Sequence, residues 1–204
     1  MFEMKNQESK ILLAITGASG IPYAKRLLEY LLQNQYHTGL VYSKTAQIVA
    51  KQECSWNLYD DVKQTQQQIC QEFKTQSQYL NVVADDDWFA PYASGSNPAD
   101  VMIICPASMG TVSAVANGSS NSLIERAADV CLKERKKLII IPREMPLSSI
   151  HLKHLLQLSE YGAVIIPPSP AFYFYPKTVE DMVDFVVARV LDHIGIANKL
   201  AKRW

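Results

Sequence analysis

Residues Lys10–Ile15 read KILLAI, an apolar run that breaks into Thr16-Gly17-Ala18-Ser19-Gly20 and then into a helical pattern from Pro22. A run with no polar position has no face to give to water, so it predicts a parallel strand buried on both sides. Pro22 suits the first turn of a helix, and Ala24, Leu27, Leu28, Leu31 and Leu32 give that helix one apolar face. A second strand ends at Tyr42-Ser43, followed by a helix from about Thr45 to Glu53. This βαβα opening predicts an α/β fold: a Rossmann-like, doubly wound parallel sheet in three α/β/α layers.

The alternation continues down the chain. Asp61–Lys74 reads as a polar helix, Tyr79–Val83 as a short strand, and Val101–Cys105 (VMIIC) as a central strand that ends at Pro106. Ser122–Arg135 is the next helix, Leu138–Ile141 the next strand, His151–Tyr161 a helix closed by Gly162, and Ala163–Ile166 a further strand. Thr178 is expected to cap the last long helix, with Asp181 in its first turn. Asp85–Asp100 holds three consecutive aspartates, two prolines and one glycine, so it reads as a loop. Its Trp88, Phe89 and Tyr92 are costly to expose unless they meet a ligand or another subunit. No repeat or linker divides the 204 residues, which are expected to form one domain with a core at about 10–195 and a tail at 196–204.

Composition narrows the function classes. Lys plus Arg and Asp plus Glu number 20 each, so no global field attracts nucleic acid and any anion site must arise from local clustering. No apolar run approaches the roughly 20 residues that span a bilayer, and Met1–Lys10 is polar, so no membrane span is expected and the cytoplasm is the default compartment. Cys54, Cys70, Cys105 and Cys131 form no CxxC pair and have no histidine cluster beside them, so neither a metal nor a disulfide is expected. Cys105 and Cys131 read as small buried thiols.

Ligands of an open parallel sheet bind outside the carboxyl ends of its strands. Three such ends here carry small polar residues before a helix start: Thr16–Gly20, Ser43 and Ser108-Met109-Gly110-Thr111. Free backbone N–H groups and the helix dipole favour an anion there, and three together point to a phosphate-bearing cofactor. The first turn is GxxG, not GxGxxG, so a nicotinamide dinucleotide is not indicated. A second, basic constellation follows. Arg126 and Lys133 are seven residues apart on one helix face, with Asp129 between them. Arg143-Glu144 follows a strand end and Pro142, where guanidinium suits a phosphate and a carboxylic acid suits proton donation to a leaving oxygen. Tyr173 lies in the run Phe172-Tyr173-Phe174-Tyr175, and Arg189 sits among valines and Leu191, a context that calls for an acid or a phosphate partner. Glu53, at the end of the second helix, reads equally as a surface residue.

In order, the blocks TGASG at 16–20, SK at 43–44, DWFAPYASGS at 87–96, ICPASMGTVSAVANG at 104–118, LIERAADVCLKERKKL at 123–138, PREMPLSSIHL at 142–152 and Gly162 to Tyr173 resemble the UbiX-type flavin prenyltransferases, of the UbiX/phenylacrylic acid decarboxylase-like flavoproteins. The resemblance runs from Lys10 to about Gly195. It implies a homo-oligomer, usually a dodecamer, with sites shared between subunits. It implies an enzyme that joins dimethylallyl phosphate to reduced FMN across flavin N5 and C6 without a metal. The prenylated FMN would serve a UbiD-type decarboxylase, often in ubiquinone biosynthesis. By position, Gly17, Ala18 and Ser19 would approach the flavin, with Ser19 near its reactive edge. Ser43, Ser108, Met109, Gly110, Thr111 and Arg143 would hold FMN. Lys133, Glu144, Tyr173 and Arg189 would grip the prenyl phosphate, with Arg126 from a neighbouring subunit. Glu53 would serve proton transfer, and Glu144 would protonate the departing phosphate. Trp88 would face the allyl cation, an attraction of about 2 kcal/mol when desolvated.

Two rivals share parts of this pattern. A flavin-dependent cysteine decarboxylase would have a turn like Pro106-Ala107-Ser108, but also a PxMNxxMW-like clamp and a catalytic histidine, where this chain reads PREMPLSS. A non-catalytic FMN carrier would keep the flavin turns but would not need Lys133, Glu144, Tyr173 and Arg189 together.

Overall fold

The computed structural model describes residues 9–201; residues 1–8 of the polar start and the last three of the tail lie outside them. Six strands form one parallel sheet among the described residues: β1 (Ile11–Ile15), β2 (Thr38–Tyr42), β3 (Leu80–Val83), β4 (Val101–Ala107), β5 (Lys137–Pro142) and β6 (Val164–Ile165). They lie in the order β3-β2-β1-β4-β5-β6 and every neighbouring pair is parallel. This is the doubly wound order that reverses between β1 and β4, as the sequence predicts.

Side-chain alternation in the central strand divides the core into two layers. Ile11, Leu13 and Ile15 face α1 (Ile21–Gln33), α2 (Lys44–Cys54), α3 (Val62–Glu72) and α7 (Val179–His193). Leu12 and Ala14 face α4 (Met109–Ala116), α5 (Leu123–Lys133) and α6 (Ser149–Glu160). All of β1 is 0% exposed, which is why ILLAI, after the exposed Lys10, carries no polar position. The helix starts follow local chemistry. Thr178 accepts from the Asp181 N–H while Asp181 accepts from the Thr178 N–H, a reciprocal cap on α7. Ser148 and His151 do the same for α6, which starts two residues before the expected His151. Cys105 and Cys131 are buried, and burial pushes the Cys131 thiol up to about 12.

The sequence reading of Pro106 as a strand end is corrected. β4 continues to Ala107, with its register to β5 shifting between Ile104 and Ala107. Proline has no N–H for the ladder, and a strand keeps one only at such an irregularity. The Asp85–Asp100 segment is a loop with one short 3-10 turn at Pro91–Ala93. It is nonetheless docked tightly. Tyr92 is buried, and Gly39 in β2 leaves the space its ring needs: a Cβ there would lie 2.3 Å from the Tyr92 hydroxyl oxygen. The Arg126 Nε–H donates to the Ala93 carbonyl at 3.0 Å. A Cβ on Gly95 would lie 2.5 Å from the Lys133 ammonium. Of the three loop aromatics, the chain covers only Tyr92; Trp88 is 47% exposed and Phe89 99%.

Gly39→Ala should therefore destabilise the fold by about 1–3 kcal/mol through overpacking against Tyr92. Thermal melting followed by circular dichroism at fixed protein concentration measures it, and an unchanged midpoint would refute the packing account.

Candidate active site

The carboxyl edge of the sheet gathers four turns. Thr16, 1% exposed, follows β1 and reaches across to β4. Its N–H and its hydroxyl both donate to the Pro106 carbonyl, at 3.2 and 2.8 Å, and the hydroxyl oxygen accepts the Ser108 N–H at 2.8 Å. Gly17 then passes so close to α2 that a Cβ would lie 2.5 Å from the Thr45 Cβ. Gly20 takes φ +117°, which favours glycine, and turns the chain into α1. The Glu53 carboxylate accepts the Gly20 and Ile21 N–H groups at 3.0 and 2.9 Å through one oxygen, pinning the start of α1 to the end of α2.

Ser43 is the N-cap of α2: its hydroxyl oxygen accepts from the Ala46 N–H at 3.2 Å, and its own N–H donates to the Ile15 carbonyl at 3.0 Å. Ser108 caps α4 by accepting from the Thr111 N–H at 3.3 Å. The Arg143 N–H donates to the Ala107 carbonyl at 3.1 Å, tying the turn after β5 into the same cluster. The structure thus brings Gly17, Ala18, Ser19, Ser43, Ser108, Met109, Gly110, Thr111, Arg143 and Glu53 to one edge. The first-turn N–H groups of α2 and α4 that the serine caps do not take up remain for a bound anion. A Cβ on Gly110 would meet only the Ser108 hydroxyl oxygen, at 3.9 Å, so the start of α4 faces open space. A floor of small residues, two helix N-termini and one guanidinium suit the flat ring and phosphate of FMN.

The basic set is not assembled within one chain. Arg126 and Lys133 share one face of α5, as their spacing predicts, and Asp129 pairs with Arg126 at 2.9 Å. The ion pair of Lys136 with Asp100, at the start of β4, puts the Lys133 end of α5 at the amino edge of the sheet. Arg189 lies on α7, across the sheet from α5, and pairs with Asp192 at 3.1 Å, the acid partner its apolar context called for. Tyr173 packs edge-on against Phe185, with ring centroids 6.3 Å apart. Arg189 is one turn on from Phe185, so Tyr173 and Arg189 share one face of α7. Glu144 and all of 143–150 are exposed at the carboxyl edge. The sheet separates Lys133 from Arg189, so a pocket that holds both needs more than one copy of the chain.

Three features escaped the sequence reading. Thr16 was legible only as part of a turn, although a hydroxyl directly after a fully buried strand signals a buried partner. Asp85 accepts the Leu123 N–H on its carbonyl at 2.7 Å and the Ile124 N–H on its carboxylate at 3.0 Å. It caps α5 from 38 residues away in sequence, a distance that leaves no local signal; burial raises its carboxyl above the ordinary value. A cavity of about 540 Å³ at the ends of β2 and β3, lined by Tyr42, Lys44, Asp60, Asp85 and Ser122 among others, adjoins the Ser43 turn.

A family model described as Flavoprotein matches residues 2–191. The flavin prenyltransferase UbiX of Pseudomonas aeruginosa is 48% identical over 96% of this chain and 93% of its own length. The chain belongs to the UbiX flavin prenyltransferase family. A crystal structure of AnUbiX (PadA1) in complex with FMN and dimethylallyl pyrophosphate matches with a TM-score of 0.86 and 36% identity, covering 97% of each chain. A dodecameric FMN-dependent UbiX-like decarboxylase from Escherichia coli O157:H7 matches with a TM-score of 0.83 and 39% identity, covering 96% of this chain and 98% of that one. Among the described residues no helix is long and apolar enough to cross a membrane.

Because a side chain at Gly17 must push against Thr45, Gly17→Ala should displace the turn and weaken FMN binding on the order of tenfold or more while the sheet persists. Titration of the apo protein with FMN, read by flavin fluorescence, checks this; wild-type affinity would show that the close approach is not needed.

Proposed function

We propose that this chain joins dimethylallyl phosphate to reduced FMN and passes the prenylated FMN to a UbiD-type decarboxylase, as one domain of a cytoplasmic homo-oligomer. The observation that carries the reading is the match, over nearly the whole of both chains, to a UbiX structure in complex with FMN and dimethylallyl pyrophosphate. The carboxyl-edge cluster supports it with the right donor set for the cofactor. Bound reduced FMN would supply a nucleophilic N5 and a ring carbon, C6, that close a fourth ring with the prenyl group.

The protein's share is to hold the phosphate and manage protons. Ionising an allyl phosphate leaves a multiply charged anion and a delocalised cation, so fixed donors must sit where negative charge accumulates. Lys133, Arg189, Arg126 and the Tyr173 hydroxyl supply cationic and neutral donors for that oxygen cluster. Glu144 donates the proton that the departing phosphate oxygen takes. Trp88, exposed on a docked loop, offers a π face to the cation without a lone pair that would trap it. Glu53, with one oxygen engaged by the start of α1, keeps its other oxygen for proton transfer at the flavin edge.

The opposite placement of α5 and α7 supports a site shared between copies, and the dodecameric relative supports the assembly size. A polar to cationic prenyl-phosphate site on helix faces has no counterpart in a simple FMN carrier. Arg143-Glu144 likewise stands where a cysteine decarboxylase would carry its clamp.

Anaerobic incubation of the purified protein with FMN, a reductant and dimethylallyl phosphate should add one C5 unit to the flavin mass, and no gain would end this reading. In the same assay Glu144→Gln should slow the reaction roughly a hundredfold or more; an unchanged rate would remove Glu144 as the proton donor. Lys133→Ala and Arg189→Ala should each be inactive alone, whereas oligomers reassembled from a mixture of the two should regain activity. Recovery fails if both residues must come from one chain.

A further inference from the structure

The carboxyl-edge cluster depends on a residue outside the set expected to hold FMN. We infer that Thr16 is a positioning residue for flavin binding, whose hydroxyl locks the 17–20 turn to the N-terminus of α4. This rests on the flavin reading above and names a residue through which that site is held.

Three hydrogen bonds join Thr16 to β4 and the turn after it. Its backbone N–H and its hydroxyl converge on the Pro106 carbonyl, at 3.2 and 2.8 Å. The hydroxyl oxygen also accepts the Ser108 N–H at 2.8 Å. The first bond joins strand to strand and does not need a side chain. The second and third need a hydroxyl, because only a group that donates and accepts at one atom can bridge a carbonyl and an N–H. Valine has the same shape and can do neither.

The consequence divides cleanly between fold and site. With Thr16→Val, the Pro106 carbonyl still receives the Thr16 backbone N–H, so the β1–β4 seam keeps its link. The Ser108 N–H is left without a partner in a half-buried position, which is costly enough for the turn to shift. That turn carries the Ser108 cap and, directly after it, the first-turn N–H groups of α4, which have no carbonyl partner within the helix. The Thr16 carbonyl also accepts the Ala18 N–H at 2.9 Å, so the floor of the pocket hangs from the same residue. Moving one turn relative to the other by a fraction of an ångström separates the two walls between which FMN binds. Thr16 touches neither FMN nor substrate on this account; it acts through Ser108 and Ala18.

The test compares wild type, Thr16→Val and Thr16→Ser, each titrated as apo protein with FMN and each checked by far-UV circular dichroism and thermal melting. Thr16→Val should fold and lose FMN affinity on the order of tenfold or more. Thr16→Ser, which keeps the hydroxyl and loses only the methyl, should bind within about twofold of wild type. The inference is overturned if Thr16→Val binds as wild type does, or if Thr16→Ser loses as much affinity as the valine variant. It is also overturned if Thr16→Val does not fold, because the contact would then belong to the fold and not to the site. Failure of the wild-type protein to bind FMN at all would instead sink the flavin reading.

Discussion

The seam between β1 and β4 at Pro106 is the constraint on which the functional edge of this protein depends. A doubly wound sheet changes direction at that seam, and the crevice it opens is where the fold can take a ligand. Pro106 lies in β4 just there and has no N–H to donate, so at this point β4 offers β1 only its carbonyl. Thr16 engages that carbonyl from the β1 side with its N–H and its hydroxyl. The strand can then run on to Ala107 and deliver Ser108 to the start of α4. The close approach of Gly17 to Thr45 and the Glu53 cap on α1 extend the same arrangement toward β2. Each turn is held by its neighbour and not only by its own residues.

Charge is handled locally throughout. Although acidic and basic residues balance overall, the edge is electropositive because helix N-termini converge on it. The basic side chains proposed for the prenyl phosphate are each held by a nearby acid: Arg126 by Asp129, Lys133 by Glu134 and Arg189 by Asp192. Pairs at this exposure are worth about 0–1 kcal/mol, while a multiply charged phosphate makes shorter, charge-assisted bonds. On the proposed function, a phosphate would outcompete the acids for these cations.

Much of this was legible because it is local. KILLAI carries its double-sided burial in its composition, Thr178 and Asp181 carry the cap of α7 in their spacing, and Ser43 and Ser108 mark two helix starts at strand ends. What was not legible involves partners far apart in sequence. Pro106 reads as a strand end because Thr16, whose N–H and hydroxyl its carbonyl accepts, is 90 positions away. Asp85 reads as one of three loop aspartates because the N–H groups it caps are on α5. Spacing placed Arg126 and Lys133 on one face, but it could not show that α7 lies on the other side of the sheet from them. On the proposed function, that placement requires a second copy of the chain.

The exposed aromatics meet the same requirement from the other direction. Trp88 and Phe89 project from a loop whose neighbours are fixed by Tyr92 beneath Gly39 and by Arg126 on Ala93. Burying a side chain of this size contributes about 1.5–3 kcal/mol, and a loop already held in place loses little further freedom when it docks. On α6, Ile150, Leu152 and Leu156 are exposed as well. A lone chain would therefore leave apolar surface in water and its phosphate ligands on opposite faces of the sheet. On the proposed function, association with further copies would relieve both at once, and the free energy of assembly would also bring the prenyl-phosphate site together. Arg126 stands at the junction, since it anchors the loop that carries Trp88 and belongs to the phosphate set.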